Sequence, residues 1–279
     1  MNAVLATRIG QLRALPSLPQ VVLDLQAALS RDDVSIDEIA DTVSLDQALA
    51  AKALRIANCS FYGVPTRVVS IRQAISVLGL RSVSTLLTAA AVTDCFPRAA
   101  CRGFDLRGYW RHGVAVALCA RQLARRSGLD ADVAFTAGLL HDLGRLVLAT
   151  LEPTALDDAY RHRTAHDCQM RDAELAVLGT DHAALGAEVG TRWHFGAAVV
   201  SAVRLHHLPP DAPSANAVDL VHVADNIVHA LDLVGDRDEI VPTLDPGAWN
   251  RVGLSPPACL SVFAETEAEV DGLCEALGF

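Results

Sequence analysis

Strand signals are nearly absent from this chain: Ala and Leu dominate, and apolar positions recur at three- and four-residue steps almost everywhere. Aromatic residues make up only 5%, which removes the usual stacking platform for single-stranded nucleic acid. A basic excess is missing too, because 23 Lys and Arg face 33 Asp and Glu for a formal net charge of -10. That balance disfavours a broad nucleic-acid footprint, so nucleic acid is not expected as a partner. Although hydrophobic residues reach 51%, no uninterrupted apolar run approaches the roughly 20 residues of a membrane span. Neither membrane nor signal peptide is read: Met1–Arg8 lacks a basic flank followed by an apolar core, and a soluble, cytoplasmic protein is the expectation. The seven cysteines contain no Cys-x-x-Cys spacing, which argues against a disulfide framework or a thiolate zinc site. Cys59, Cys119 and Cys259 read as small core residues. Arg121, Arg125 and Arg126 read as a solvated helix face.

What remains is an all-α chain, long enough at 279 residues for one large or two modest domains. Helix starts are marked by the prolines of Leu15–Pro19, by Asp32-Asp33 with Ser35, by Ser44-Leu45-Asp46 and by Ser70. Gly79 is placed as a left-handed stop, and Asn58–Pro65 as the first loop. Charge and Gly rise between Pro97 and Gly108, which predicts a junction there. The expected division is 1–100, an N-terminal bundle; 101–235, a second helical unit; and 236–279, a helical extension packed on the second unit, with Glu265, Glu267, Glu269 and Asp271 towards solvent.

No histidine precedes residue 112, and from there they fall at helical positions beside apolar neighbours. His112 opens one helix. His141-Asp142 sits inside Ala137–Leu148, read as a helix begun by Asp130 or Asp132, where each polar side chain must find a partner or a cation. Asp181 caps a helix whose His182, Gly186 and Gly190 share a face, so that a neighbour can approach closely. His206-His207 precedes Leu208-Pro209-Pro210. Asp225 follows on a helix whose inward face carries Leu220, Val221 and Ala224; with His222 and His229 it reads as a polar rim. His162 and His166, four apart among charges, read as a solvated face. Metal chemistry on helices needs neutral imidazoles and a carboxylate converging from several elements, so His112, His141-Asp142, His182, His206-His207 and Asp225 are the candidates.

A His, then His-Asp followed by Leu-Gly-basic, then further His and a late Asp resembles the HD superfamily of metal-dependent phosphohydrolases. That resemblance implies His112, His141, Asp142 and Asp225 as the minimal ligand set for a divalent transition metal such as Fe, Mn or Zn. It also implies second-metal or substrate roles for His182, His206 and His207, which match the extra histidines of HD-GYP cyclic dinucleotide phosphodiesterases. Leu15–Pro19, Leu54–Gly63, Ile71–Gly79, Ala137–Leu148, Asp181-His182 with Gly186, Trp193 and His206–Pro209 together resemble the HDOD family, the HD-related output domains of bacterial signalling proteins. This implies an N-terminal helical bundle packed on an HD-like bundle, and a regulatory module that acts on signalling proteins without established catalysis. Two departures stand out: the Gly-Tyr-Pro signature of the phosphodiesterases is missing after His207, and Arg145 stands where they carry a lysine. The expectation is therefore a non-catalytic regulatory module whose degenerate HD site retains its ligand types. The alternative is a metal-dependent phosphohydrolase or cyclic dinucleotide phosphodiesterase.

Overall fold

The computed structural model describes residues 17–28, 35–44, 46–59, 62, 64, 66–96, 101, 103–235 and 240–279. Leu15-Pro16, Asp32-Asp33, Leu45, parts of the Asn58–Pro65 loop and the Met1–Arg8 start lie outside the described residues. No strand occurs among those described. They divide into two compact units, described residues 17–96 with 268–279, and described residues 101–267.

The first unit carries α1 (Gln20–Ala28), α2 (Ile36–Ser44), α3 (Gln47–Ala57), α4 (Ile71–Leu78) and α5 (Leu80–Cys95). Side-chain caps start three of these helices: Ser35 accepts from Asp37 N at 3.2 Å, Asp46 from Leu49 N at 3.0 Å and Ser70 from Gln73 N at 3.2 Å. Gly79 ends α4 at φ 84°, but its ψ of 156° makes it a sharp corner into α5 rather than the expected left-handed cap. The division differs from the expected one at the C-terminus, where Ala268–Phe279 groups with this unit. Val270, Leu273, Ala276 and Leu277 are buried, and Arg55 donates to the Ala276 carbonyl at 2.6 Å, satisfying a helix-end acceptor.

The second unit runs through α6 (Leu106–Ser127), α7 (Ala131–Leu140), α8 (Leu143–Leu151), α9 (Pro153–His166), α10 (Met170–Leu178), α11 (His182–Arg192), α12 (Ala197–Leu205), α13 (Ala217–Ala230) and α14 (Pro246–Val252) into α15 (Pro256–Leu277). Helix α6 is its centre. Asp105 caps it, Gly128 ends it at φ 70°, and Val114–Ala120 are buried all round because α7 and α13 pack against it. Trp110, Leu118, Leu123, Phe135 and Leu139 are fully buried, each contributing roughly 1.5–3 kcal/mol. Arg121 is buried, not solvated as expected, with its guanidinium 5.9 Å from the Phe135 ring centre; Arg126 pairs with Glu265 at 2.5 Å. Cys119 and Cys259 are core residues, whereas Cys59 is only half-buried. Among the described residues one stretch of 21, Ala131–Leu151, is long and apolar enough to cross a bilayer, and 78% of its apolar 18-residue window is buried inside the protein.

The largest departure from sequence expectation lies in that stretch. The expected continuous helix is broken: α7 ends at Leu140, His141 caps it, and Asp142 leaves the helix at φ -96°, ψ 14° before α8 begins. On an unbroken helix, adjacent side chains diverge by about 100° and cannot share a target. The break turns His141 and Asp142 to one side.

Helix α8 then crosses α11 with almost no separation. A Cβ built on Gly144 would stand 1.9 Å from the His182 carbonyl oxygen, and one on Gly186 would stand 2.9 Å from Gly144 N. Gly144→Ala is therefore expected to force α8 and α11 apart, at about 1–3 kcal/mol or more, and to lower Tm by several degrees. Gly196→Ala, whose added methyl meets nothing within 4 Å, is expected to leave Tm nearly unchanged in the same thermal melt.

Candidate metal centre

Two groups of donors meet where α6, α8, α11, α12 and α13 converge. In the first, His112 Nε2 lies 3.3 Å from His141 Nε2 and 3.0 Å from Asp225 Oδ1, while His141 Nε2 and His229 Nε2 lie 3.7 Å and 3.3 Å from the same oxygen. In the second, Asp142 Oδ1 lies 3.1 Å from His182 Nε2 and 3.7 Å from His206 Nε2, and His207 Nε2 lies 2.8 Å from His182 Nε2. Asp142 joins the groups, because its other oxygen, Oδ2, lies 3.7 Å from His141 Nε2. Asp142, His182, His206 and His207 each offer an atom within 4.8 Å of the others; so do His112, Asp225 and His229, and so do His112, His141 and Asp142.

Local backbone structure aims these rings. His141 Nδ1 is 2.7 Å from the Gly138 carbonyl and His206 Nδ1 is 2.9 Å from the Val203 carbonyl, each three residues back at a helix end. A carbonyl only accepts, so Nδ1 must donate, and in the neutral ring Nε2 then presents a lone pair to the cluster. His182 is held differently. Buried Glu174 accepts from both its backbone N at 2.8 Å and its Nδ1 at 2.6 Å, through the same oxygen. Asp181 meanwhile caps α11 through Ala184 N at 2.9 Å. This carboxylate–imidazole arrangement is the one that orients histidine ligands in metal sites.

The electrostatics divide the rings. Burial, against the nearby Asp225, pulls His112 down to about 4, and burial with His141 nearby pulls His206 down to about 3; His207 also falls, through burial and His206. These rings are neutral at pH 7, the form that ligates. For His182, burial is outweighed by Glu174 and Asp142, which lift it to about 10, and His229 is raised because Asp225 outweighs its burial. Burial alone would raise both aspartates, but His141, His182 and Arg145 hold Asp142 well below the usual carboxylate range, and His229 with His112 does so for Asp225.

The donor set fits a divalent transition ion: imidazole nitrogen and carboxylate oxygen, without thiolate. Two atoms reinforce this. Among the described residues His206 Nε2 and Asp225 Oδ1 are buried without a well-aligned hydrogen bond, although His112 and His229 stand 3.0 Å and 3.3 Å from the Asp225 oxygen, as groups do that point at a common third position.

All seven candidates from the sequence are thus brought together: His112, His141, Asp142 and Asp225, with His182, His206 and His207 beside them. The polar rim expected on α13 is corrected. Asp225 is 3% exposed and His222 2%. His222 is consumed structurally, its Nδ1 donating to the His206 carbonyl at 2.7 Å and its Nε2 accepting from Asp245 N at 2.8 Å. His229 and Glu174 were missed. His229 was readable as i+4 from Asp225, and Glu174 as a carboxylate in line with apolar Met170 and Leu178 at i-4 and i+4. His162 and His166 stand apart from the cluster, their rings stacked 3.9 Å apart on α9.

A cavity of about 270 Å³ opens onto the cluster, lined by His141, Asp142, His182, His207, Asp225 and His229 among others. Arg145 reaches it too, donating to Asp142 Oδ2 at 3.0 Å and to the Tyr160 hydroxyl at 3.3 Å.

The HDOD domain family matches residues 15–209. An uncharacterized protein of Treponema pallidum is 27% identical over 215 residues, 76% of this chain and 41% of that one. Ribonuclease Y of Clostridium tetani is 32% identical over 117 residues, 42% of this chain and 17% of the enzyme. The chain thus spans less than half the length of these relatives. An HDOD domain protein from Geobacter sulfurreducens has the same fold, with a TM-score of 0.82 at 25% identity and 97% of both chains covered. A protein of Shewanella amazonensis, named provisionally as a phosphohydrolase, gives 0.74 at 26% identity over 99% of this chain and 97% of that one.

Glu174→Gln removes the charge that fixes the His182 ring while keeping the side chain's shape. It is expected to weaken metal binding by about 10–100-fold, measured by competition with a chromogenic chelator, with little change in far-ultraviolet circular dichroism.

Proposed function

The chain belongs to the HDOD family, and from that premise we propose that it is a signalling module whose HD-derived centre holds divalent metal and hydrolyses phosphoesters. One observation carries the reading: a bridging aspartate with donors on both sides forms the floor of a cavity that reaches solvent. A divalent ion held there would supply Lewis-acid chemistry, activating water near neutral pH and offsetting charge on a phosphoryl oxygen. His112, His141, Asp142 and Asp225 are the holding residues on one side, and Asp142, His182, His206 and His207 on the other. His229 completes the first group. The Nδ1 tethers of His141, His182 and His206 keep these rings from turning away, so little reorganisation is left for the binding step. The name of the Shewanella protein, over nearly the full length of both chains, is in keeping with this reading.

A second reading has a specific observation in its favour. Arg145 ion-pairs with Asp142, and its fixed charge cannot shuttle a proton as the lysine of the phosphodiesterases can. In that reading the metal is structural and the domain acts by recruiting signalling proteins, as the sequence leads one to expect.

Metal content of the purified protein, followed by assays of p-nitrophenyl phosphate, bis-p-nitrophenyl phosphate and cyclic di-GMP with added manganese or iron, separates the two. Turnover is expected with metal, falling at least about 100-fold in His141→Ala and Asp142→Ala, which remove ligands outright. Metal-loaded protein that turns over none of the three substrates overturns the hydrolytic reading and leaves recruitment.

A further inference from the structure

Asp142 is claimed by more than imidazole. Arg145 Nη1 donates to its Oδ2 at 3.0 Å, and this is the oxygen that faces His141 at 3.7 Å. A carboxylate oxygen has lone pairs enough to accept twice, but a fixed guanidinium charge beside it opposes a second cation at the same point. A positive group thus already stands where the charge of an ion has to go.

The way Arg145 is held differs from another buried arginine–aspartate pair of the same unit. Between α14 and α13, Arg251 takes both oxygens of the fully buried Asp219, at 2.6 Å and 3.2 Å, the two-bond match of planar fork to carboxylate. Arg145 gives Asp142 one nitrogen only. Its other terminal nitrogen turns aside to the Tyr160 hydroxyl on α9 at 3.3 Å, and its Nε is buried without a hydrogen-bond partner among the described residues. Tyr160 is in turn well seated. One turn earlier on α9, Asp157 Oδ1 accepts from Gly103 N at 3.1 Å and from Cys101 Sγ at 2.9 Å, and a Cβ built on Gly103 would stand 3.3 Å from the Tyr160 ring. Arg145 is therefore on Asp142 by a single bond, with a second anchor on which to remain when that bond is given up and a cavity, which it lines, to receive it.

We propose that Arg145 is a built-in counter-cation that stands in for divalent metal on Asp142 and competes with it. Without an ion it offsets the burial of the carboxylate. With one, the two cations contend for the same side chain, so metal affinity is set below what the surrounding donors alone confer. By linkage, whatever draws Arg145 away from Asp142 tightens metal, and metal loosens Arg145 from Asp142. The inference rests on the metal holding that both readings above share, and not on hydrolysis.

Arg145→Gln tests it on the full chain, stripped with chelator and titrated with manganese in competition with a chromogenic chelator. The variant is expected to bind manganese about tenfold more tightly than wild type, the scale of one charge-assisted hydrogen bond. Arg145→Lys, which keeps the charge, is expected to stay nearer wild type. In thermal melts, metal-free Arg145→Gln is expected to unfold several degrees below wild type, because a buried carboxylate has lost a partner, and to gain more than wild type when manganese is added. Should metal-free Arg145→Gln not fold, manganese is expected to restore its circular dichroism spectrum. Manganese bound no more tightly by Arg145→Gln than by wild type, Arg145→Lys binding as tightly as Arg145→Gln, or an unfolded Arg145→Gln that manganese does not rescue overturns the inference while the metal centre stands. Absence of manganese from wild type and both folded variants fells the metal centre itself.

Discussion

The second unit depends on a single electrostatic constraint: Asp142, Asp225 and Glu174 are carried into an interior where they are 6%, 3% and 0% exposed. An unpaired carboxylate there costs several kcal/mol, and removing one partner of a buried pair costs as much again. The chain answers by surrounding each with imidazole. Asp142 has His182 and His206 on one oxygen and Arg145 on the other; Asp225 has His112 and His229; Glu174 has the backbone N–H and the Nδ1–H of His182. The raised pKa of His182 and His229 and the lowered pKa of the aspartates are two sides of that arrangement. A divalent ion is the other way to meet the same demand, and the neutral rings of His112, His206 and His207 are already in the form it needs.

The backbone obeys the same constraint. Breaking the helix between Leu140 and Leu143 gives up hydrogen bonds in the most apolar part of the chain, yet only the break lets His141 and Asp142 face one point. Gly144, two residues on, lets α8 lie against the start of α11, which brings His182 to Asp142. Asp181 connects the next layer: one oxygen caps α11, the other holds Arg171, and the following residue is the histidine gripped by Glu174. Local capping, helix packing and the placement of a charged group at the cavity are here one set of contacts.

Much of this was legible in the residue order. Helical periodicity, the caps at Asp46, Ser70 and Asp130, and the candidate donors that the fold draws together all follow from local spacing or from motifs. What was not legible depends on partners distant in sequence. His222 and His229 lie three before and four after Asp225, on the same face, and spacing cannot rank them. Only the fold delivers the His206 carbonyl and Asp245 N to His222, which removes it from the cluster and leaves His229 as the donor. Arg121 looked solvated beside Arg125 because nothing local announces Phe135, and Ala268–Phe279 looked like an extension of the second unit because nothing local announces Arg55. The broken helix was hidden for the opposite reason: its flanks are so apolar that periodicity runs straight through it.

Whether such a centre works as chemistry or as scaffold turns on coordination count. Asp142, His182, His206 and His207 are four donors, enough to close a tetrahedral ion, and closed tetrahedral sites are structural while catalytic ones keep a position open. An ion that prefers six ligands would not be saturated by the same four donors, and Arg145 lines the cavity beside them. Arg145 then has two roles that do not conflict. Its pairing with Asp142 lowers the cost of burying that carboxylate when no ion is bound, and its second nitrogen, held by the Tyr160 hydroxyl, keeps a fixed cation at the cavity wall. A lysine there would put its charge at one point and could satisfy only one of these sites well; the planar fork of arginine spans both. The arginine that stands where the phosphodiesterases carry a lysine is, on this geometry, a fixed charge tied to Asp142 and Tyr160 rather than a carrier of protons.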